Sequence, residues 1–152
     1  MKPANLLTIV FFIVFTAMFS AAQNKTESVN NGDTVEQTII IARNLLKKGD
    51  AAGAVSVLQT ALQSNPQNEY IKFWLGKAFY SQGNYQKAIE NLNLVVDKFP
   101  KNFAEQIQTV QMLGLARYIS GQLAEAIPYL EKITQWQPEN SEVAYALGVS
   151  YI

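Results

Sequence analysis

The chain has 152 residues, and its 12 basic and 12 acidic side chains leave no formal net charge at neutral pH. No bulk charge draws it towards nucleic acid or an anionic surface, so we expect no nucleic-acid partner. The sequence contains neither cysteine nor histidine. Disulfide bonds, thiolate metal sites, cysteine nucleophiles and histidine-dependent catalytic triads are therefore excluded.

The first 22 residues have the layout of a secretory signal peptide. Lys2 provides a short basic start, and an uninterrupted apolar run extends from Leu6 to Phe19. The small residues of "SAA" at positions 20–22 are typical of a signal-peptidase site, so we predict cleavage after Ala22 and export to the periplasm or outside the cell. The alternative is an uncleaved membrane anchor, but the apolar run is shorter than the roughly 20 residues that a spanning helix needs.

Residues 23–34, "QNKTESVNNGDT", are polar with a single apolar residue. Such a segment cannot bury enough apolar surface to order itself, so we predict a flexible linker. Thr34 and Gln37 have the spacing of a capping box, which predicts that the first helix begins after Thr34.

The sequence from 35 to 152 repeats itself at a fixed spacing. Two copies are offset by 34 residues, a third follows at an offset of 38, and a partial fourth begins at Ser141. We assign the repeats to residues 35–68, 69–102, 103–140 and 141–152, and we expect the chain to be a fragment truncated in its fourth repeat. The four extra residues of the third copy, 103–106, predict one added helical turn, capped by Asn102 and Glu105. The matching positions are Gly49, Gly83 and Gly121; Ala54, Ala88 and Ala126; Leu58, Leu92 and Leu130; and Pro66, Pro100 and Pro138.

This 34-residue period with its Leu-Gly, Ala and Pro positions resembles the tetratricopeptide repeat, and the preceding signal peptide is typical of an exported bacterial member. The resemblance implies an all-α fold in which helix–turn–helix repeats stack into a right-handed superhelix, or solenoid. Hydrophobic periodicity independently predicts a one-sided amphipathic helix over 85–99 and a helix over 70–80 that is apolar nearly all round. We expect Gly76 and Ala88 to lie where these two helices cross closely, because a larger side chain would push them apart.

The resemblance also implies that the first helix of each repeat lines a concave groove that binds a peptide or partner protein. Aromatic residues and arginine are enriched at interface hot spots, which favours an aromatic strip on these helices as the binding surface. The alternative is that most of these rings pack between neighbouring helices. The predicted groove residues are Arg43, Tyr70, Phe73, Lys77, Tyr80, Gln108, Gln111, Tyr118 and Tyr145.

No group of residues suggests catalysis, a cofactor or a metal. The acidic residues fall at predicted turns or on solvated helix faces, and every glycine of the repeats has a structural explanation. We therefore predict a non-catalytic protein–protein interaction scaffold of the cell envelope or the extracellular space. The alternative is the N-terminal recognition arm of a longer enzyme or envelope assembly factor. We also predict that the last helix exposes Leu147 and Tyr151, which favours weak self-association through that end.

Overall fold

The computed structural model describes residues 31–101 and 103–152, and Val35–Ile152 forms one compact unit. The predicted signal peptide and residues 23–30 of the predicted linker lie outside the described residues. In the part that is described, no helix is both long and apolar enough to span a membrane. These ranges contain seven helices and no strand, so the predicted all-α helical-repeat fold is confirmed. The helices are α1 (Asn31–Lys47), α2 (Ala51–Ser64), α3 (Glu69–Ser81), α4 (Tyr85–Asn93), α5 (Ala104–Ile119), α6 (Leu123–Trp136) and α7 (Ser141–Ser150).

From α2 onwards, each helix packs against the next helix in the chain, and α3 also contacts α5, as α5 contacts α7. Asparagine caps begin α3, α4 and α7, where a side-chain oxygen accepts a hydrogen bond from a backbone N–H of the first turn. The turns inside the helix pairs contain Gly49, Gly83 and Gly121, all with positive φ between 74° and 82°. Only glycine adopts this conformation without steric cost, which explains why the repeat keeps it there.

The start of α1 differs from the prediction. The helix begins at Asn31, so residues 31–34 are helical rather than a flexible linker, and Thr34 is inside the helix instead of being its N-cap. Nucleation fixes about three residues for one hydrogen bond, whereas each residue added to an existing helix fixes one residue for one bond. The last residues of the predicted linker therefore extend the helix.

The amphipathic helix predicted over 85–99 is also shorter than expected. It ends at Asn93 and continues as turns in which the Val95 N–H donates to the Leu92 carbonyl at 3.1 Å, and the Lys98 N–H to the Val95 carbonyl at 3.0 Å. These bonds span three residues, the tighter spacing of a 3₁₀ turn. Two adjacent valines lower helix propensity and Pro100 disfavours helical backbone at Phe99, so the α-helix is not maintained.

The added turn of the third repeat is present. Helix α5 has 16 residues, compared with 13 in α3, and its extra residues precede the shared glycine. The N-cap position is held by Phe103, which makes no side-chain capping hydrogen bond, and Asn102, which was predicted to cap this helix with Glu105, lies outside the described residues. The first turn still contains Glu105, whose negative charge is favourable near the positive end of the helix dipole.

Close approach at glycine sets the spacing of the helix pairs. A Cβ atom built on Gly76 would lie 2.7 Å from Leu92 Cγ, and one on Gly114 would lie 2.8 Å from Leu130 Cδ2. The two leucines are fully buried, as are the repeat alanines Ala88 and Ala126, which lie about one helical turn before them. The predicted close crossing at Gly76 is therefore confirmed, and the third repeat reproduces it.

We predict that Gly76→Val destabilises the fold by about 1–3 kcal/mol, because the added methyl groups overlap Leu92 and the core must shift. Gly148→Val is the matched control, since Gly148 is at the same repeat position and a Cβ atom there would meet nothing within 4 Å. The measurement is the urea midpoint of each variant. Equal midpoints for the two variants would contradict the assignment of Gly76 to a close helix crossing.

We also predict that Phe73→Ala lowers the free energy of unfolding by about 3–5 kcal/mol, because the ring is fully buried and its removal leaves a cavity. Tyr145 is at the same repeat position in α7 but is 68% exposed. Tyr145→Ala should therefore change stability by no more than about 0.5 kcal/mol. The free energies of unfolding of the two variants are measured by urea unfolding followed by circular dichroism. A similar loss of stability in Phe73→Ala and Tyr145→Ala would show that Phe73 does not belong to the core.

Candidate partner-binding surface

Trp74 is the centre of a group of polar and charged side chains on the first helices of the repeats. Its half-buried ring has the Lys77 ammonium 4.8 Å from the centroid and the Arg43 guanidinium carbon 5.6 Å from it. Lys77 reaches the ring because it is three residues further along α3, on the same helix face. Arg43 comes from α1. Both cations are within the distance at which the ring quadrupole attracts a positive charge.

A hydrogen bond extends this group to α5, since Lys77 Nζ donates to Gln108 Oε1 at 2.7 Å. We call Arg43, Trp74, Lys77 and Gln108 the Trp74 cluster. Partial burial lowers the pKa of Lys77, the nearby Arg43 lowers it further, and Glu105 acts in the opposite direction. Two like charges therefore lie beside one aromatic ring, and Glu105 is the acidic residue that opposes the effect of Arg43 on Lys77.

Tyr80 continues the same helix beyond the Trp74 cluster. It is half-buried and contacts the Tyr85 ring edge to face, with centroids 5.5 Å apart and an interplanar angle of 75°. Burial, then the negative charge of Glu142, then Tyr85 raise the pKa of Tyr80 to about 12, so the phenol is neutral at physiological pH. The influence of Glu142 shows that the first turn of α7 lies within electrostatic range of α3.

Phe73 was predicted to line the groove, and the structure corrects this. Its ring is 1% exposed and makes edge-to-face contacts with Trp74 at 5.5 Å and Phe99 at 5.7 Å. The turns after α4 bring Phe99 over this part of α3, so Phe73 belongs to the core. Tyr70 is one turn earlier, contacts the same Phe99 ring at 5.1 Å and keeps 42% of its surface exposed.

The remaining predicted residues do not join the Trp74 cluster by any contact that we observe. Gln111 and Tyr118 are half-buried on α5, and Tyr118 packs against the core cluster of the third repeat. Tyr145 is 68% exposed on α7. Leu147, which was expected to be exposed, is half-buried and packs against the same core cluster. Of the predicted groove residues, Arg43, Lys77 and Gln108 belong to the Trp74 cluster, and Phe73 belongs to the core. The others lie outside the Trp74 cluster: Tyr70, Tyr80, Gln111, Tyr118 and Tyr145.

Sequence reasoning missed Trp74 and Glu105. The spacing of Trp74 and Lys77 by three residues is a usable signal, because such a pair shares a helix face wherever a helix forms. Arg43, Lys77 and Gln108 all belong to the predicted groove set, which register with the family supplied, but that register did not indicate that they meet around one ring. Chemically, the cluster offers two cations beside an aromatic face, which suits a carboxylate next to an apolar side chain. Within residues 31–101 and 103–152, no group of acidic residues could hold a metal ion.

Three known proteins illustrate what this chain is similar to. Over 108 residues it is 29% identical to the "Protein CTR9 homolog" of Arabidopsis thaliana, covering 69% of this chain but 9% of that protein. It resembles the structure of a MamA double mutant, with a TM-score of 0.66 and 21% identity over 78% of this chain and 65% of that one. A Thermobaculum terrenum O-GlcNAc transferase mutant gives a TM-score of 0.66 and 22% identity over 82% of this chain and 23% of that one. At such identities the two structural matches show the fold alone.

Comparison with family models identifies the repeat directly. Two models, each described as a tetratricopeptide repeat, match residues 45–111 and residues 107–140. The matched ranges overlap and together contain α2 to α6, with the Gly76–Leu92 and Gly114–Leu130 contacts inside them. The repeat suggested by the 34-residue period is therefore confirmed, and this chain contains tetratricopeptide repeats, a helical-repeat family whose members serve as protein-interaction scaffolds.

Proposed function

We propose that this chain is a non-catalytic scaffold that binds a peptide or partner protein on the surface made by its first helices. The observation that carries the proposal is the Trp74 cluster, which draws its side chains from α1, α3 and α5. These helices belong to three successive repeats. A ligand lying across the cluster would therefore contact all three repeats at once.

The composition of the cluster supports an acidic segment with a neighbouring apolar side chain as the ligand. Arg43 and Lys77 both lie beside the Trp74 ring, and the charge of Arg43 adds to burial, the larger cause, in lowering the pKa of Lys77. A ligand carboxylate between them would relieve the repulsion between these like charges and accept charge-assisted hydrogen bonds. An apolar ligand group beside the carboxylate would contact Trp74, and tryptophan and arginine are among the residues that dominate binding energy.

We further propose that the scaffold acts after export, in the periplasm or outside the cell. The proposal is supported by the sequence of residues 1–22, with its basic start, apolar run and small-residue site. The partner would then belong to the cell envelope or its surroundings.

A second candidate function is recognition within a larger protein. The observation that favours it is coverage, because the region similar to this chain is 9% of the Arabidopsis protein and 23% of the O-GlcNAc transferase chain. In that case the Trp74 cluster would bind a partner and bring it close to another domain of the same polypeptide. An antibody against α2 would then detect, in the source cells, a polypeptide much larger than the 16.9 kDa of this chain.

We predict that Lys77→Gln and Arg43→Gln each weaken peptide binding about tenfold, as expected when one charged contact worth about 1.4 kcal/mol is lost. Ligands would be selected from a phage-displayed library of random peptides against residues 23–152, and their dissociation constants measured by fluorescence anisotropy. The selected sequences should be enriched in Asp and Glu.

The matched control for this experiment is Lys132→Gln. Lys132 is also half-buried and lies 5.0 Å from the centroid of a tryptophan ring, that of Trp136, but both residues are on α6, a second helix. Its substitution should leave the dissociation constants unchanged. Selected peptides whose affinity responds to Lys132→Gln but not to Lys77→Gln would refute the proposed surface.

A separate prediction concerns export. Expressed with its own N-terminus in a Gram-negative host, the chain should be released by osmotic shock and begin at Gln23 on N-terminal sequencing. Ile13→Asp places a charge in the apolar run and should leave an unprocessed precursor in the cytoplasm. A protein that retains Met1 and sediments with membranes would instead be anchored by an uncleaved helix.

A further inference from the structure

The inserted turn of the third repeat adds an acidic residue beside the Trp74 cluster. Helices α3 and α7 begin seven residues before their repeat glycines, whereas α5 begins at Ala104, ten residues before Gly114. Glu105 is therefore on a part of α5 that has no helical counterpart in α3 or α7. The turn is open to solvent, since Phe103 at its N-cap is 51% exposed and Ala104 is also exposed.

Glu105 lies on the side of the inserted turn that is directed towards Lys77. It precedes Gln108 by three residues, so the two side chains share one face of α5, and Gln108 Oε1 accepts the hydrogen bond from Lys77 Nζ. Burial and then Arg43 lower the pKa of Lys77, and the negative charge of Glu105 acts against them. Among residues 31–101 and 103–152, nothing forms a hydrogen bond or ion pair with the Glu105 carboxylate. This half-buried group is therefore available to a ligand.

Opposite charges thus lie a short distance apart on this surface. Arg43 and Lys77 provide the two cations beside the Trp74 ring. Glu105 is one helical turn, about 5 Å along the axis, from the residue to which Lys77 is hydrogen-bonded. In an extended peptide, alternate side chains point to the same side and are about 7 Å apart. An acidic and a basic residue two positions apart in a ligand therefore match the spacing of these charges.

We propose that the segment bound by the Trp74 cluster carries a basic residue two positions from its acidic residue, and that this basic residue pairs with Glu105. The inference rests on the function proposed above and adds a second charge to the ligand. The acidic residue would meet Arg43 and Lys77, while the Lys or Arg would meet the inserted turn. A second acidic residue at that position would be repelled by Glu105. The inserted turn is therefore a specificity element, which selects segments of mixed charge over uniformly acidic ones.

Phage selection against residues 23–152 tests this specificity. Among selected sequences with Asp or Glu, we expect Lys or Arg to be enriched two positions away, and a parallel selection against Glu105→Lys should enrich Asp or Glu there instead. One selected peptide is then synthesised with its basic residue and with Gln in its place. Glu105→Gln should weaken binding of the first peptide about two- to fivefold, as for other partly exposed ion pairs. It should not weaken binding of the second, because only a charge that opposes the ligand carboxylate is lost.

The matched control is Glu142→Gln, since Glu142 is likewise an acidic residue in the first turn of a first helix, α7, and this change should alter neither affinity. Three results would overturn the inference while leaving the Trp74 cluster as a binding surface. They are enrichment of Asp and Glu without Lys or Arg, a preference for Lys or Arg that depends on Glu142 rather than Glu105, and equal weakening of both peptides by Glu105→Gln. Selected peptides without Asp or Glu, or affinities that Lys77→Gln leaves unchanged, would overturn the function proposed above as well.

Discussion

The helix pairs of the second and third repeats depend on one contact, in which a leucine of the second helix rests directly on a glycine of the first. With no Cβ on Gly76 or Gly114, Leu92 and Leu130 approach to distances that any other residue would forbid. This contact fixes which face of the first helix points to its partner, and positions three residues to either side follow it on the same face. Phe73 and Phe79 are buried for this reason, while Trp74 and Lys77 lie on another side of the helix, where they form the binding surface.

The sequence was sufficient to predict the features that recur in each repeat or that depend only on nearby residues. The 34-residue period and the close approach at Gly76 rest on residue type at fixed spacing, and the structure contains both; the repeat glycines Gly49, Gly83 and Gly121 prove to be turn residues with positive φ. The candidate site was less predictable because it depends on where separate segments meet. Phe73 was assigned to the groove by register with the family, but the turns after α4 carry Phe99 over it. These turns also take the place of the last part of the helix that hydrophobic periodicity predicted to continue to residue 99.

The Trp74 cluster is cationic and half-exposed, so its attraction for an acidic ligand would be screened by salt and would act mainly on specificity and association rate. Its side chains come from α1, α3 and α5, so the geometry of the cluster depends on how these three helices stack.

The second and third repeats each make the leucine–glycine contact within a short stretch of chain. At α3 and α5, the leucine that fills the glycine position comes from the same chain, a short loop away, so the contact forms at little entropic cost. At α7, a Cβ atom on Gly148 would meet nothing within 4 Å among the described residues. The leucine–glycine contact therefore stabilises the helix pairs of the second and third repeats, where Leu92 and Leu130 supply it.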